Sequence, residues 1–422
     1  MGEVEKIFND SLIEFIREHS AEDTVKLVLS GERYPDIDIK LAATIIEARR
    51  KIAEKVPKWA GRFDLFYPNT LAAEQSSSSH TAVYKQHFFD GGTVIDLTGG
   101  MGIDSYYMAQ KAQKLCYIER NPELCLAAEY NFRKLGLKNI STYNYYISKK
   151  NISSVIDCVV KEAESREYPA RQKNVSLIYL DPARRGDNNR RIYAISDCEP
   201  NIIELKEELF RHTDTVLIKV SPMADIKSLI REFPETASIH VLSVENECKE
   251  LLILLSSEKR YSEEEVEIVC VNFAKNGLFK PFVFTYYDEL SAISTFAPHI
   301  KEYLYEPNSS LLKAGAFKSV SKAYGVEKLE KNTHLYTSDK IIEGFPGRVF
   351  KVKEVMEYNN KTLLNLKKTY PKANVAVRNF PISADQLKRR GEIEDGGETY
   401  IIGTTISIGR KATKKIVVCN RI

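Results

Sequence analysis

The sequence predicts an α/β fold in which a mostly parallel sheet is wound between helices, with a helical N-terminal domain before it and a small α+β domain after it. Three observations lead there. From Thr93 to about Ser256, apolar strand-like runs alternate with helical periods. The residues before them show only helical spacing, and the chain beyond Gly347 reads strand, helix, strand, helix, strand, strand. At 422 residues the chain is too long for one core, and four domains are expected, at residues 1–88, 89–287, 288–339 and 340–422.

The elements follow in order. Ile7, Leu12, Ile13 and Ile16 recur at helical spacing, and Val25, Leu27 and Val28 precede a stop at Gly31. Ile39, Leu41, Ile45, Ile46 and Ile52 mark a longer amphipathic helix ending near Pro57. Leu71 to Lys85 contains the run Ser76-Ser77-Ser78-Ser79, read as a loop and a capped helix start beside the next strand. Strands are expected at Thr93–Asp96, Lys114–Glu119, Ile140–Asn144, Val175–Asp181, Thr215–Val220, Ser238–Ser243 and Leu251–Leu255. The short connection before the last of these permits an antiparallel hairpin. Residues 288–339 give no clear pattern beyond a Pro-Asn-Ser-Ser turn and a helix from Phe317 to Tyr324.

Composition narrows the function classes. The net charge is only +3, but from Lys340 onward 17 Lys and Arg face 8 Asp and Glu, leaving +9 there and −6 over the rest. A basic C-terminal surface is a phosphate-seeking feature. The seven cysteines form no C-x-x-C pair, so neither a metal site nor a disulfide framework is expected. No apolar run reaches membrane length and no leader is visible, so a cytoplasmic protein with no membrane partner is expected. Oligomeric state is not legible.

The chemistry-bearing stretch is Thr93-Val94-Ile95-Asp96-Leu97-Thr98-Gly99-Gly100-Met101-Gly102-Ile103-Asp104. A buried strand ends in an acid, and glycines at 99, 100 and 102 allow a ligand to approach the backbone before a helix begins. The next strand ends in Glu119, about 20 residues on, where a carboxylate can accept both hydroxyls of a ribose. These features fit a nucleoside cofactor without choosing one. The fourth strand ends in Asp181-Pro182-Ala183-Arg184-Arg185-Gly186 at the sheet edge where α/β enzymes react. The cluster Arg184, Arg185, Arg190 and Arg191 suits an anionic substrate.

D-L-T-G-G-M-G-I-D followed by Y-I-E-R-N-P resembles motifs I and II of Rossmann-like S-adenosylmethionine-dependent methyltransferases. That resemblance implies the cofactor S-adenosyl-L-methionine, held by Asp96, Thr98, Gly99, Gly100, Gly102, Asp104, Glu119, Arg120 and Asn144. The D-P-A-R loop lies where amino-group methyltransferases carry D/N-P-P-aromatic, but Ala183 replaces the second proline and Arg184 the aromatic residue. By that resemblance the catalytic residues are Asp181, Pro182 and Arg184; Lys219 is a catalytic candidate through the ribose alternative given below. The arrangement L-A-A-E-Q-S-S-S, L-D-P-A-R-R-G, Y-E-P-N-S-S-L-L-K-A-G-A-F and R-N-F-P-I-S-A-D-Q-L-K-R-R is similar to a family of bacterial methyltransferases with a small ferredoxin-like insert and a THUMP-like C-terminal domain. The resemblance implies an RNA substrate, tRNA or rRNA. The expected reaction is methylation of an exocyclic base amine. One alternative is ribose 2′-O-methylation by a tetrad of Lys85, Asp181, Lys219 and Glu250, and another is a non-catalytic RNA-binding protein with a vestigial methyltransferase fold.

Overall fold

The computed structural model describes residues 2–163, 175–184, 195–258, 262–409 and 411–422. The chain divides into two compact units, Met1–Ser238 with Leu251–Tyr261, and Ile239–Glu250 with Ser262–Ile422.

The first unit opens with helices Glu3–Ile7, Asp10–Glu18, Thr24–Leu29 and Ile39–Lys55. Their apolar faces meet in one cluster through Phe8, Ile16, Ile45 and Ile46, as the periodicity requires. Asn9, Asp23 and Asp38 cap three of the helix starts by accepting backbone N–H groups. The Asn131 amide, buried on helix Pro122–Lys134, accepts from the Phe66 N–H at 2.7 Å and donates to the Phe66 carbonyl at 2.8 Å. An extended segment is thereby fastened to the sheet's helical layer with both of its polar groups satisfied.

The strands are β1 (Thr93–Asp96), β2 (Lys114–Glu119), β3 (Ile140–Asn144), β4 (Val175–Leu180), β5 (Thr215–Val220), β6 (Thr236–Val244) and β7 (Glu247–Ser256). Within the first unit the order is β3-β2-β1-β4-β5-β7. Neighbours from β3 to β5 pair in parallel, and residues 251–256 of β7 run antiparallel to β5. The strand order reverses at β1 and β4, so the carboxyl ends of these two strands flank the crevice. Both are apolar and almost wholly buried, with Val94, Ile95, Leu177 and Ile178 inaccessible, as expected for strands covered on both faces.

The second unit begins with a hairpin over residues 239–250, turning at Glu245 and Asn246 with φ of 49° and 69°. Two consecutive left-handed residues match the twist of a two-residue hairpin. Strands β8 (Glu267–Phe273) and β9 (Phe282–Thr285) pair antiparallel. Beyond them lies a seven-stranded sheet built from β10 (Tyr303–Pro307), β11 (Glu327–Glu330), β12 (Thr333–Ser338), β13 (Gly347–Glu357), β14 (Asn374–Arg378), β15 (Thr399–Ile408) and β16 (Lys411–Arg421). Its order is β11-β12-β10-β13-β16-β15-β14. Every pair is antiparallel except β14 with β15. Leu304, Leu335, Phe350, Ile402 and Val417 close its core. Residues 288–339, which lack a clear sequence pattern, thus supply three strands of this sheet as well as helices Ser309–Ala314 and Phe317–Tyr324.

Among the described residues no helix is long and apolar enough to cross a membrane. Nor does any group of three or more His, Cys, Asp or Glu among them form a metal-binding cluster.

Candidate active site

At the carboxyl ends of β1, β2 and β4 lies a cleft of about 280 Å³. The turn Leu97–Gly102, Glu119, Arg120 and Asp181 line it, together with Ser77 and Lys219.

The glycines of the turn have separate reasons to be there. A Cβ on Gly99 would sit 2.0 Å from the Tyr117 ring, and one on Gly102 would sit 2.6 Å from the Phe132 ring at a φ of 76°. Packing alone therefore demands these two glycines. Gly100 has a φ of 54° and open space beside it, and it is the position where the bare backbone faces the cleft.

Asp96 ends β1 and is 1% exposed. Its carboxyl accepts the Ser105 hydroxyl at 2.6 Å and the Thr98 N–H at 3.0 Å. Burial pushes its pKa up to about 7, with these bonds opposing. Glu119 ends β2 and accepts the Gly100 N–H at 2.8 Å and the Asn121 N–H at 2.7 Å, so its carboxylate is locked against the turn. Arg120 pairs with Glu199 at 2.8 Å, and Glu199 also accepts the Tyr146 hydroxyl at 2.6 Å. Asn144 instead donates to the backbone carbonyls of Glu119 and Arg120 at 2.7 and 3.1 Å. It holds the end of β2 and does not line the cleft.

The Thr98 hydroxyl accepts the Asp181 N–H at 2.6 Å, which joins the turn after β1 to the loop after β4. Lys219, from β5, brings its Nζ to 2.5 Å from Asp181 Oδ2. Depth in the cleft raises the Asp181 pKa, and the Lys219 ammonium opposes that rise. Ala183 and Arg184 form a two-residue ribbon with Glu199 and Cys198. Pro182 is half-buried. The Arg184 side chain and all of Arg185, Arg190 and Arg191 lie outside the described residues.

Beneath the floor is a network that was not legible in the motifs. Asp104, 9% exposed, accepts the Lys85 ammonium at 2.9 Å, the Ser77 hydroxyl at 2.8 Å and the Tyr179 hydroxyl at 2.8 Å. Burial would raise its pKa, but the Lys85 and Lys219 charges and these donors leave it below the usual carboxylate range. Lys85 is wholly buried, and the carboxylate it meets at 2.9 Å is that of Asp104. Glu250, the fourth residue of β7, is buried and belongs to the second unit. Lys219 and Asp181, two of the tetrad positions, are in direct contact. Ser77 had a signal in the serine run; Tyr179 and Glu199 had none.

In the C-terminal basic region, Lys388 pairs with Asp395 and Lys415 with Glu357, and Lys414 donates to the Thr405 hydroxyl at 2.7 Å. Arg390 reaches the Tyr358 hydroxyl at 3.2 Å.

Residues 303–346 match a ferredoxin-like domain family and residues 347–421 a THUMP domain-like family. No curated protein matches the chain in sequence. The crystal structure of a candidate methyltransferase from Porphyromonas gingivalis W83 is 34% identical, covering 100% of this chain and 99% of that one at a TM-score of 0.84. More distant likenesses include a SAM dependent methyltransferase from Aquifex aeolicus, 15% identical over 42% of this chain and 89% of that one, TM-score 0.27. An rRNA methylase from Streptococcus thermophilus is 14% identical over 42% and 93%, also at 0.27. These last two are too remote to bear on the substrate. With a 34% identical relative matched end to end, and with a Gly-rich turn, an Asp96 and a Glu119 converging on one cleft, the chain belongs to the S-adenosylmethionine-dependent methyltransferase family that joins a Rossmann-like sheet to ferredoxin-like and THUMP-like domains.

Proposed function

We propose that this enzyme methylates an exocyclic base amine of RNA, tRNA or rRNA. The observation that carries the reading is Asp181, whose carboxylate stands in the cleft with Oδ2 engaged by Lys219 at 2.5 Å. Among the described residues nothing hydrogen-bonds to Oδ1, which serves as an acceptor for a target N–H, with the Pro182 carbonyl as a second. Two acceptors orient an amine so that its lone pair faces the methyl donor, and the amine sheds its proton after transfer, so no strong base is needed.

S-adenosylmethionine supplies a methyl group made electrophilic by its sulfonium. On this reading Asp96 faces the ammonium of the cofactor, Glu119 takes the ribose hydroxyls, and the Thr98–Gly102 turn passes beneath them. Arg120 is held at the rim by Glu199, and Asp104 forms part of the floor. An RNA substrate is supported by the THUMP-like match at residues 347–421 and by the C-terminal surplus of 17 basic over 8 acidic residues.

One observation favours a ribose hydroxyl instead: Lys219 touches Asp181, as a base beside its orienting carboxylate would. The Lys219 ammonium is, however, already committed as the partner of that carboxylate, and the amine reading uses it there. Single-turnover transfer to RNA by Lys219→Met and Asp181→Ala separates the two. Amine chemistry predicts that Asp181→Ala is inactive while Lys219→Met retains measurable transfer. Loss of roughly 10²–10⁴-fold in both, with one site made resistant to alkaline cleavage, overturns the amine in favour of the ribose.

A further inference from the structure

The serine run before β1 is only partly absorbed by the reading above. Ser76 donates to the Ala73 carbonyl at 2.7 Å and ends a helix, and Ser78 caps the next. Ser77 does something else. Its side chain is 6% exposed, at the floor of the cleft.

A serine hydroxyl has one proton to give and two lone pairs to fill. The Ser77 proton goes to Asp104 Oδ2 at 2.8 Å. Its oxygen lies 3.2 Å from Lys219 Nζ and 3.4 Å from Lys85 Nζ, and so accepts from both ammoniums. The hydroxyl is thus saturated and can point one way only, because Asp104 is itself fixed by Lys85 and Tyr179. We propose that Ser77 is a positioning residue for methyl transfer: it holds the Lys219 ammonium against Asp181 Oδ2, so that Asp181 keeps its other oxygen turned toward the target amine. The inference rests on the amine-acceptor role proposed for Asp181.

Like-charge repulsion explains why such a device is useful. Two ammoniums share one hydroxyl, and each is paired with a carboxylate, Asp104 for Lys85 and Asp181 for Lys219. Without the shared acceptor, Lys219 loses a contact that limits its swing, and the Asp181 carboxylate is held less firmly. The charged groups that act on Asp181 are Lys219, Asp104, Lys85 and Asp96. A slackened Lys219 leaves the two acids and the burial less opposed, so Asp181 takes up a proton at higher pH.

The test is single-turnover transfer of labelled methyl from S-adenosylmethionine to total RNA from a strain lacking the protein. It is run across pH with the full chain as wild type, Ser77→Ala, Ser77→Cys, Ser77→Thr and Asp181→Ala. Ser77→Ala is expected to lower the rate by roughly ten- to a hundredfold and to move the acid limb of the pH profile upward, with cofactor affinity little changed. Ser77→Cys fills the same space with a weak acceptor and is expected to move the limb in the same direction even where alanine folds poorly. Ser77→Thr keeps the hydroxyl and is expected to restore most of the rate. A rate and acid limb equal to wild type in both the alanine and the cysteine variants, with Asp181→Ala inactive, overturns the inference and leaves the proposed function standing. A lower rate with an unmoved limb, not recovered by threonine, overturns it as well, since that is the mark of a merely structural serine. Full activity in Asp181→Ala, or no transfer to RNA by the wild type, overturns the proposed function and the inference with it.

Discussion

On the proposed placement of Asp96 against the cofactor ammonium, cofactor binding is a proton-linked event near neutral pH. Its carboxyl is buried and carries a pKa of about 7 in the absence of a cationic partner. A cofactor ammonium facing it favours the ionised form, so binding must expel the proton wherever the free protein still holds it. At pH 6 about one-tenth of the groups are ionised, against half at pH 7, which makes the affinity at pH 6 roughly fivefold weaker than at pH 7, with close to one proton released per cofactor bound. Above about pH 8 the cofactor's own amine loses its charge, so affinity peaks between the two. Calorimetry in buffers of different ionisation enthalpy counts the proton directly, and Asp96→Asn should abolish both the release and the slope. The same shift has a stability sign. The folded pKa lies above the ordinary aspartate value of 3.8, so the neutral form is the one folding favours. The contribution is fully present below about pH 4 and is lost as pH rises through 7, an effect of at most roughly 4 kcal/mol. Wild-type affinity that is flat from pH 6 to 7, with no proton released, refutes the assignment of Asp96 to the ammonium.

Other outcomes follow from the same geometry. Lys85→Met leaves the Asp104 carboxylate buried without its ammonium and should destabilise the fold by about 3–5 kcal/mol, and adding Asp104→Asn should recover part of the loss; thermal melts of the single and double variants check this. Gly99→Ala forces a Cβ into the Tyr117 ring, 2.0 Å away, and should lower the melting temperature whether or not cofactor is present, whereas a purely ligand-facing glycine would weaken only cofactor binding. In the C-terminal region, charge reversal at Arg389, Arg390 and Lys411 should weaken RNA binding and flatten its salt dependence more than reversal at Lys388 and Lys415, whose charges are already met by Asp395 and Glu357; filter binding across salt concentrations decides. Equal slopes in the two sets would refute that distinction.

The parts of this molecule that were legible in the sequence are those whose pattern is local. The parallel strands announce themselves because both faces are buried, and Asp96, Glu119 and Asp181 because they close such strands. The helix Ile39–Lys55 follows from the periodicity of Ile39, Leu41, Ile45, Ile46 and Ile52. The three strands within residues 303–338 did not yield, since Tyr303–Pro307, Glu327–Glu330 and Thr333–Ser338 mix polar with apolar residues instead of running apolar, and they draw their partners from β13 and from each other; the helix Phe317–Tyr324 between them was legible. The glycine turn was half understood. Its composition is visible, but Tyr117 and Phe132, the rings that exclude a Cβ at 99 and 102, stand 18 and 30 residues further along. The Ser77, Asp104, Lys85 and Lys219 network was invisible for the same reason, because its partners come together from before β1, after β1 and the end of β5.

The seam between the ferredoxin-like and THUMP-like segments falls between residues 346 and 347, inside a single hydrogen-bonded sheet. There β10 on one side pairs with β13 on the other from Tyr303 with Lys351 to Pro307 with Gly347. Glu306 rivets the seam, taking Arg348 on one carboxylate oxygen and Arg378 on the other. A fragment cut there would expose the naked edge of β13, an open template for any passing strand. It would also leave two guanidiniums facing each other where a carboxylate had kept the peace. Two names drawn along the sequence therefore describe one physical body, whose halves should unfold together.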